Sequence, residues 1–206
     1  MKARPILFSS PMVRALLEGR KTQTRRTMKP QPVLSAAETT WLWKDCVFTA
    51  TKPYCGVGAS FARTPITSCP YGHPGDLLWV RESYGLLNDG AILYPATYDV
   101  AQRPHLKWKP SIHMPRRVSR ISLEITGVRV ERLQDISASD ASAEGIFTPE
   151  IGYANLGERA PILQYGRLWE EINGTGSWDK NPFVWVVEFK VHLKNIDQLL
   201  TERLAA

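Results

Sequence analysis

Three segments of the chain carry the hydrophobic pattern of β-strands. In "LLWVRE" the side chains alternate between two faces, and in "RISLEITGVRVERL" Ile121, Leu123 and Ile125 share one face. Gly127 interrupts the second segment, which predicts a β-bulge there. The third segment, "FVWVVEFKV", begins at Phe183 with a run that is apolar on both faces, which indicates a central strand.

Helical patterns are short and carry recognisable ends. In "SSPMVRALLEG", Ser10 suits an N-cap, Pro11 suits a first turn, and Gly19 suits a left-handed C-terminal residue. "KTQTRR" follows with alternating threonines, which predicts entry into a strand. A first short helix is therefore expected directly before a basic strand.

Further helices are predicted towards the end of the chain. Ser137 and Asp140 have capping-box spacing in "SASDASAEG", so a short helix should end near Glu144. "YGRLWEEING" predicts a helix that stops before Gly174, and residues 193–206 predict a weak helix or a frayed tail.

Two long segments show no lasting period. Residues of about 29–74 and 86–117 contain many prolines and glycines, and we interpret them as insertions within one domain that spans residues 1–206. Because the predicted strands outnumber the helices, the expected class is mostly β (α+β). The expected architecture is a small β-barrel with short flanking helices and two long inserted loops.

Charge changes this picture by suggesting a partner. The 206 residues carry a formal net charge of +6, and the basic residues cluster around 20–29 and 107–120. Such clusters favour an anionic partner, with nucleic acid or a nucleotide the commonest choice. No stretch has the apolar length of a signal peptide or a membrane span, so the expectation is a cytoplasmic protein without a membrane partner.

The cysteines do not form an obvious framework. Cys46, Cys55 and Cys69 are odd in number and irregularly spaced, so reduced thiols are expected. Cys55, Cys69 and His73 could be drawn as zinc ligands, but the paired C-x-x-C spacing is missing. We therefore expect no metal and no cofactor.

Several ordered motifs resemble one protein family. "GRKTQTRR" places Gly19, Lys21 and Arg26 in the G-x-K-x-x-x-x-R spacing of ASCH-domain proteins, which belong to the PUA-like β-barrels. "VWVVEFK" resembles their closing strand, and "LQDISASDASAEGI" resembles their helix with an acidic residue. The segments "CPYGHPGDLLWVRESY", "KWKPSIHMPRRVSRISLEI" and "LWEEINGTGSWDKNPFVWVVEF" resemble the longer ASCH proteins of bacteriophages and prophages.

The resemblance implies an activity. Small bacterial ASCH proteins include N4-acetylcytidine amidohydrolases, and their catalytic lysine, threonine and glutamate match Lys21, Thr24 and Glu144. Lys21 would be the base, Thr24 the nucleophile and Glu144 the acid, while Arg26 would orient these groups or contact the substrate. The two insertions set this chain apart from the small enzymes and could adapt the pocket to another substrate, even a polymer.

The strand period limits this assignment. In a regular strand Lys21 and Thr24 would point to opposite faces, so they share a pocket only if the chain turns or bulges between them. From the residues alone, both could equally be solvent-facing, since charge runs are usually solvated.

Other candidates lie outside the basic motif. Glu82 is a rival to Glu144 as the acid or a substrate contact, and an ordinary ion pair is its other interpretation. In "KWKPSIHMPR", Trp108 could stack on a base or pack inside the second insertion, while Ser111, His113 and Arg116 could reach polar edges or phosphate.

The expected function is therefore removal of the N4-acetyl group from acetylated cytidine, either as a modified nucleoside or within RNA or DNA. Two alternatives stay open at this point: a PUA-like protein that binds RNA or a modified base without catalysis, and an ASCH-type ribonuclease. A monomer is slightly favoured, in the cytoplasm of a bacterial host if the protein is encoded by a phage.

Overall fold

A five-stranded mixed sheet forms the centre of the structure. The computed structural model describes residues 1–36, 40–44, 46–49, 69–98, 106–146, 157 and 159–205. Across the sheet the strands are, in order, Ala3–Leu7 (β1), Leu77–Arg81 (β6), Ser122–Arg132 (β9), Phe183–His192 (β10) and Gln23–Thr27 (β2). β1 runs parallel to β6, and the other neighbours are antiparallel.

Helices and short strands surround this sheet. They are α1 (Ser10–Leu17), β3 (Val33–Leu34), β4 (Thr40–Trp43), β5 (Cys46–Thr49), β7 (Gly85–Leu86), β8 (Ile92–Leu93), α2 (Ala138–Ala143), α3 (Arg159–Asn173) and α4 (Ile196–Ala205). Single 3-10 turns occupy Ser111–His113, Arg116–Val118 and Leu133–Asp135. None of the described helices combines the length and apolar character that crossing a bilayer requires.

The predicted elements are confirmed, with differences at their ends. α1 takes Ser9 as its N-cap rather than Ser10, and the predicted cap of α2 forms as Ser137 accepts a hydrogen bond from the Asp140 N–H. α3 begins several residues before the apolar pattern that predicted it. The bulge expected at Gly127 is present, because the pairing of β9 with β10 shifts register there.

β10 is buried on both faces, as its apolar run predicts. Trp185, Val187 and Phe189 pack into one core with α1 and β6, while Val184 and Val186 pack into a second core with α2 and α3. Burying both faces of one strand removes a large apolar area from water, which makes β10 the main organiser of the fold.

Helices surround the central sheet, so the fold is mixed α/β. In the described residues the sheet is open, and the predicted closed barrel is not present in them. Closure would need backbone pairing between β1 and β2, which are the two edges of the sheet. A side chain spans this gap instead: the Arg26 guanidinium on β2 donates to the Leu7 carbonyl on β1 at 2.7 Å.

The first insertion carries a small sheet of its own, β3–β4–β5, which we call the flap. The flap docks on the central sheet through two edge-to-face aromatic pairs, Trp41 with Phe183 at 4.8 Å and Trp43 with Trp185 at 5.3 Å between ring centroids. Such pairs add stabilisation beyond their buried area. Residues 37–39, 45 and 50–68 of the first insertion, which include Cys55, lie outside the described part.

The C-terminal segment forms a docked helix instead of a frayed tail. Ile196 and Leu199 of α4 are buried against Leu77 and Trp79 of β6. The apolar spacing of these two residues was a weak signal, and the partner that makes the helix stable lies more than a hundred residues earlier in the chain.

The loop before β6 is held by one carboxylate. Asp76 accepts hydrogen bonds from the Lys2 N–H at 2.7 Å and from the Arg4 guanidinium at 2.9 Å. Partial burial opposes ionisation, but these donors and the His73 N–H outweigh it and lower the pKa of Asp76 from 3.8 to about 2. The N-terminus is thereby tied to the central sheet.

We expect Asp76→Asn to lower the free energy of unfolding by ~1–2 kcal/mol at pH 7. Because folding lowers this pKa, the carboxylate stabilises the fold above about pH 4, and the contribution disappears as the pH falls towards about 2. Urea denaturation at several pH values should show the difference from wild type shrinking on acidification. The exposed Asp179→Asn is the matched control, and an equal loss in both variants would contradict the assignment.

Candidate active site

Lys21 lies at a turn rather than in a regular strand. α1 ends at Leu17, and Gly19 just beyond it adopts a left-handed φ of +73°. The Arg20 and Lys21 N–H groups both donate to the Ala15 carbonyl. Lys21 then forms an isolated antiparallel bridge with Glu144, and β2 begins only at Gln23. The opposite-face rule for Lys21 and Thr24 therefore does not apply, because the two residues do not share a regular strand.

Lys21 and Glu144 form a buried ion pair. The Lys21 Nζ lies 2.7 Å from a Glu144 carboxylate oxygen and 2.8 Å from the Glu144 carbonyl oxygen. Lys21 is 0% exposed and Glu144 is 4% exposed. Burial lowers the pKa of Lys21 from 10.5 and outweighs the opposing effect of Glu144, while the positive charges of Arg26 and Arg25 lower it further.

Gly145 allows this close approach. Its φ of +89° belongs to the left-handed region, and a Cβ at this position would lie 2.7 Å from the Ala15 Cβ and 3.1 Å from the Lys21 Cβ. Any side chain would push α2 away from Lys21. The "AEG" sequence therefore both ends α2 and brings Glu144 to the lysine.

A buried arginine network holds the carboxylate from the other side. The Arg25 side chain is 0% exposed, and its guanidinium lies 3.3 Å from Glu144 and 3.2 Å from Asp140. Its Nε donates to Glu131 at 2.9 Å. Arg129 contacts the same Glu131 at 3.0 Å and Asp140 at 3.2 Å. The network links β2, β9 and α2 and positions Glu144.

A small cavity of about 60 Å³ opens beside the pair. Its walls come from residues 24–27 of β2, from Glu144 and from α3, including Tyr165. Thr24 is 2% exposed, so its hydroxyl lies in a confined environment. Burial, and next the nearby Glu144 carboxylate, raise the pKa of Tyr165 well above 10, so this phenol keeps its proton. Thr24 and Glu144 therefore share one cavity.

Arg26 completes the cluster. Its guanidinium lies 5.2 Å from the centre of the Phe8 ring, and the Lys21 Nζ lies 5.5 Å from the same ring. Phe8 is 3% exposed and belongs to the central core. Two cations thus meet over one buried aromatic surface, which the electrostatics of the ring stabilise.

Glu82 does not join this cluster. It is 1% exposed, and both of its carboxylate oxygens accept hydrogen bonds from Arg120, at 2.8 and 3.0 Å. Arg120 also lies 4.0 Å from the centre of the Tyr94 ring. Glu82 does not line this cavity. It also does not line a second, larger cavity that shares Arg26, Thr27 and Asn173 with the first. Its contacts in the structure are those of the ion-pair interpretation, and a role for Glu82 as acid or substrate contact stays a prediction.

The candidates of the second insertion also lie away from the cavity. Trp108 is half-buried near Tyr98, with 6.4 Å between ring centroids. Ser111 and His113 belong to a 3-10 turn, and Arg116 pairs with Asp197 of α4 at 2.6 Å. None of the four predicted residues lines a described cavity. Their contacts are those of a segment packed on the fold.

The cysteines present no metal site in the described part of the chain. Cys69 is buried and free, and burial raises the pKa of its thiol. No group of three His, Cys, Asp or Glu residues with metal-binding geometry occurs among the described residues. Cys55, which the zinc interpretation needs, lies outside them.

Sequence reasoning missed Arg25 and Tyr165. Arg25 sits in the quoted basic motif, but a run of four cations does not show which one is buried. Tyr165 lies on the buried face of α3 with Trp169, a spacing that is typical of a core position. Only the burial of both side chains reveals that they surround the cavity.

Comparison with protein-family models, curated proteins and solved structures finds no match to this chain.

We expect Glu144→Gln to lower the free energy of unfolding by about 3–5 kcal/mol at pH 7, because it leaves the Lys21 ammonium buried without its counter-charge. Folding lowers the pKa of Lys21, so the unfolded chain binds the proton more tightly and the cost should shrink as the pH rises towards 10.5. Urea denaturation at pH 7 and pH 10, each against wild type, measures this change.

Adding Lys21→Met to Glu144→Gln should restore part of the loss, since the buried charge disappears. Glu18→Gln, which removes the exposed partner of Arg20, is the matched control and should change stability by less than ~1 kcal/mol. A Glu144→Gln cost that does not vary with pH would contradict the assignment of a buried lysine charge.

Proposed function

We propose that the protein is an ASCH-type amidohydrolase with a PUA-like fold that removes N4-acyl groups from cytidine in the cytoplasm. One observation carries this proposal: Glu144, which is paired with the buried Lys21, lines a confined cavity together with Thr24. A base, an acid and a hydroxyl nucleophile are the three groups that amide hydrolysis needs. The motif resemblance assigns the same three residues.

The pair already holds the proton that the reaction needs. An ammonium with a carboxylate and an amine with a carboxylic acid contain the same number of protons, and they differ by one proton moved along the 2.7 Å hydrogen bond. Burial lowers the pKa of Lys21, which makes its amine form more accessible to the reaction. In the proposed reactive form Lys21 is the base and Glu144 is the acid.

In the first step, the Thr24 Oγ bonds to the acyl carbon as its proton passes to the Lys21 amine. The bond from the acyl carbon to N4 breaks while N4 takes a proton from Glu144, and cytidine leaves. The residues are then an acyl-threonine, an ammonium and a carboxylate.

In the second step, water attacks the Thr24 ester. The water proton passes to the Glu144 carboxylate, the ester bond breaks, and the Thr24 oxygen takes a proton back from the Lys21 ammonium. Acetic acid leaves and ionises in solution, and the three residues return to their starting forms. The cycle consumes one water and needs no metal or cofactor.

Wild-type protein should convert N4-acetylcytidine to cytidine and acetate, measured by chromatography. Thr24→Ala and Lys21→Met should lower kcat/KM by at least about 10³-fold, since each removes a group that makes or breaks bonds. Thr24→Ser should retain part of the activity because it keeps the hydroxyl. Thr22→Ala alters an exposed threonine of the same motif and should behave as wild type.

The two other functions give distinct results in this experiment. A protein that only binds RNA would bind an acetylated oligonucleotide and release no acetate. A ribonuclease would shorten labelled RNA whether or not it carries acetyl groups. Either result, with a folded wild-type protein, would overturn the amidohydrolase proposal.

The pH dependence of kcat/KM should reflect the protonation of the Lys21–Glu144 pair. The reactive form holds one shared proton, so kcat/KM should fall on the alkaline side where Lys21 loses it and Glu144 has none to donate. Because burial lowers the pKa of Lys21, this fall should occur below pH 10.5. A rate that keeps rising through pH 10.5 would contradict the shared-proton mechanism.

A further inference from the structure

A second, larger cavity adjoins the first. Its volume is about 440 Å³, within the ~300–1,000 Å³ typical of small-molecule sites. Arg26, Thr27 and Asn173 line both cavities, so the two are neighbours at β2 and the end of α3. A substrate with its acyl end in the small cavity would have the large cavity within reach of the rest of its body.

The large cavity is positively charged. Arg26, Lys29 and Lys44 line it, and no carboxylate belongs to its described lining. Among the described residues none of these three cations has a carboxylate partner, whereas the neighbouring Arg25 contacts three. Unneutralised cations gathered in a concave site raise the local concentration of anions.

Its remaining wall is mostly aromatic. Trp43 and Trp185 are almost completely buried and form a rigid floor, and the half-buried Tyr71 lies beside them. Trp43 is fixed by a hydrogen bond from its indole N–H to the Pro30 carbonyl at 2.7 Å. Aromatic surfaces with flanking lysines or arginines accept a base or ribose while the cations hold a phosphate.

The flap builds one side of this cavity. Lys44 follows β4 at a positive φ of 54°, and its Nζ lies 4.5 Å from the centre of the Trp43 ring. Lys29 follows the end of β2, at Thr27. The two lysines therefore reach the cavity from separate elements, the flap and the central sheet.

We propose that the large cavity binds a phosphate attached to the ribose of the acylated cytidine, so that the substrate is a nucleotide rather than a nucleoside. This inference rests on the proposed function for the position of the acyl group. The phosphate can belong to a mononucleotide or to an RNA chain, and the chemistry of recognition is the same.

The test compares kcat/KM for N4-acetylcytidine, its 5′-monophosphate, its 3′-monophosphate and a short oligoribonucleotide with one acetylcytidine. At low salt, at least one phosphorylated substrate should exceed the nucleoside by about tenfold or more, and added salt should reduce the excess. In Lys29→Gln/Lys44→Gln the ratio of nucleotide to nucleoside should fall towards one. Lys190→Gln changes an exposed lysine on the far end of β10 and should keep the wild-type ratio.

The outcomes separate this inference from the function on which it rests. Equal kcat/KM for nucleoside and all phosphorylated substrates would overturn the phosphate site and leave the amidohydrolase standing. If no substrate is hydrolysed, tryptophan fluorescence with cytidine monophosphates tests the site alone, because Trp43 and Trp185 lie at its floor. Lysine-dependent binding tighter than that of cytidine would support the site, and equal binding would overturn it.

A preference between the phosphorylated substrates identifies the source of the phosphate. Faster turnover of the oligoribonucleotide indicates an internal RNA residue, and faster turnover of a monophosphate indicates a free nucleotide.

Discussion

The burial of one lysine constrains the rest of the site. An ammonium without solvent needs a counter-charge, and Glu144, which lies 123 residues later in the chain, supplies it at 2.7 Å. The C-terminal end of α2 must therefore lie against the turn after α1, and Gly145 is the residue that permits this contact. Arg25 and its carboxylate partners then fix Glu144 from the opposite side. The position of α2 on the fold follows from charge as much as from apolar packing.

The chemistry follows from the same confinement. A surface lysine with a glutamate neighbour would keep both charges and exchange protons with water. Inside the fold the two groups are shielded from water and hydrogen-bonded to each other, so in the proposed mechanism base and acid would act as one unit. Thr24 and Glu144 line the same small cavity.

Much of the fold could be predicted from the sequence. The pattern of β9 is that of a half-buried strand, and the pattern of β10 is that of a strand buried on both faces. The caps at Ser137 and Gly174 are equally local signals. The site is different, because nothing in "GRKTQTRR" shows which cation is buried or which carboxylate meets it. Such pairings depend on long-range contacts between β2, β9 and α2. The motif resemblance predicted Lys21 and Glu144 as site residues, whereas the role of Arg25 became visible only in the structure.

The gap between β1 and β2 has a consequence for how a ligand enters. In the described part of the chain, the Arg26 guanidinium links the two edge strands β1 and β2. Arg26 also lines both cavities. An incoming anion that captures Arg26 competes with the Leu7 carbonyl for its hydrogen bonds. Binding of an anion at the proposed site would therefore be coupled, through the Arg26 side chain, to the link between β1 and β2.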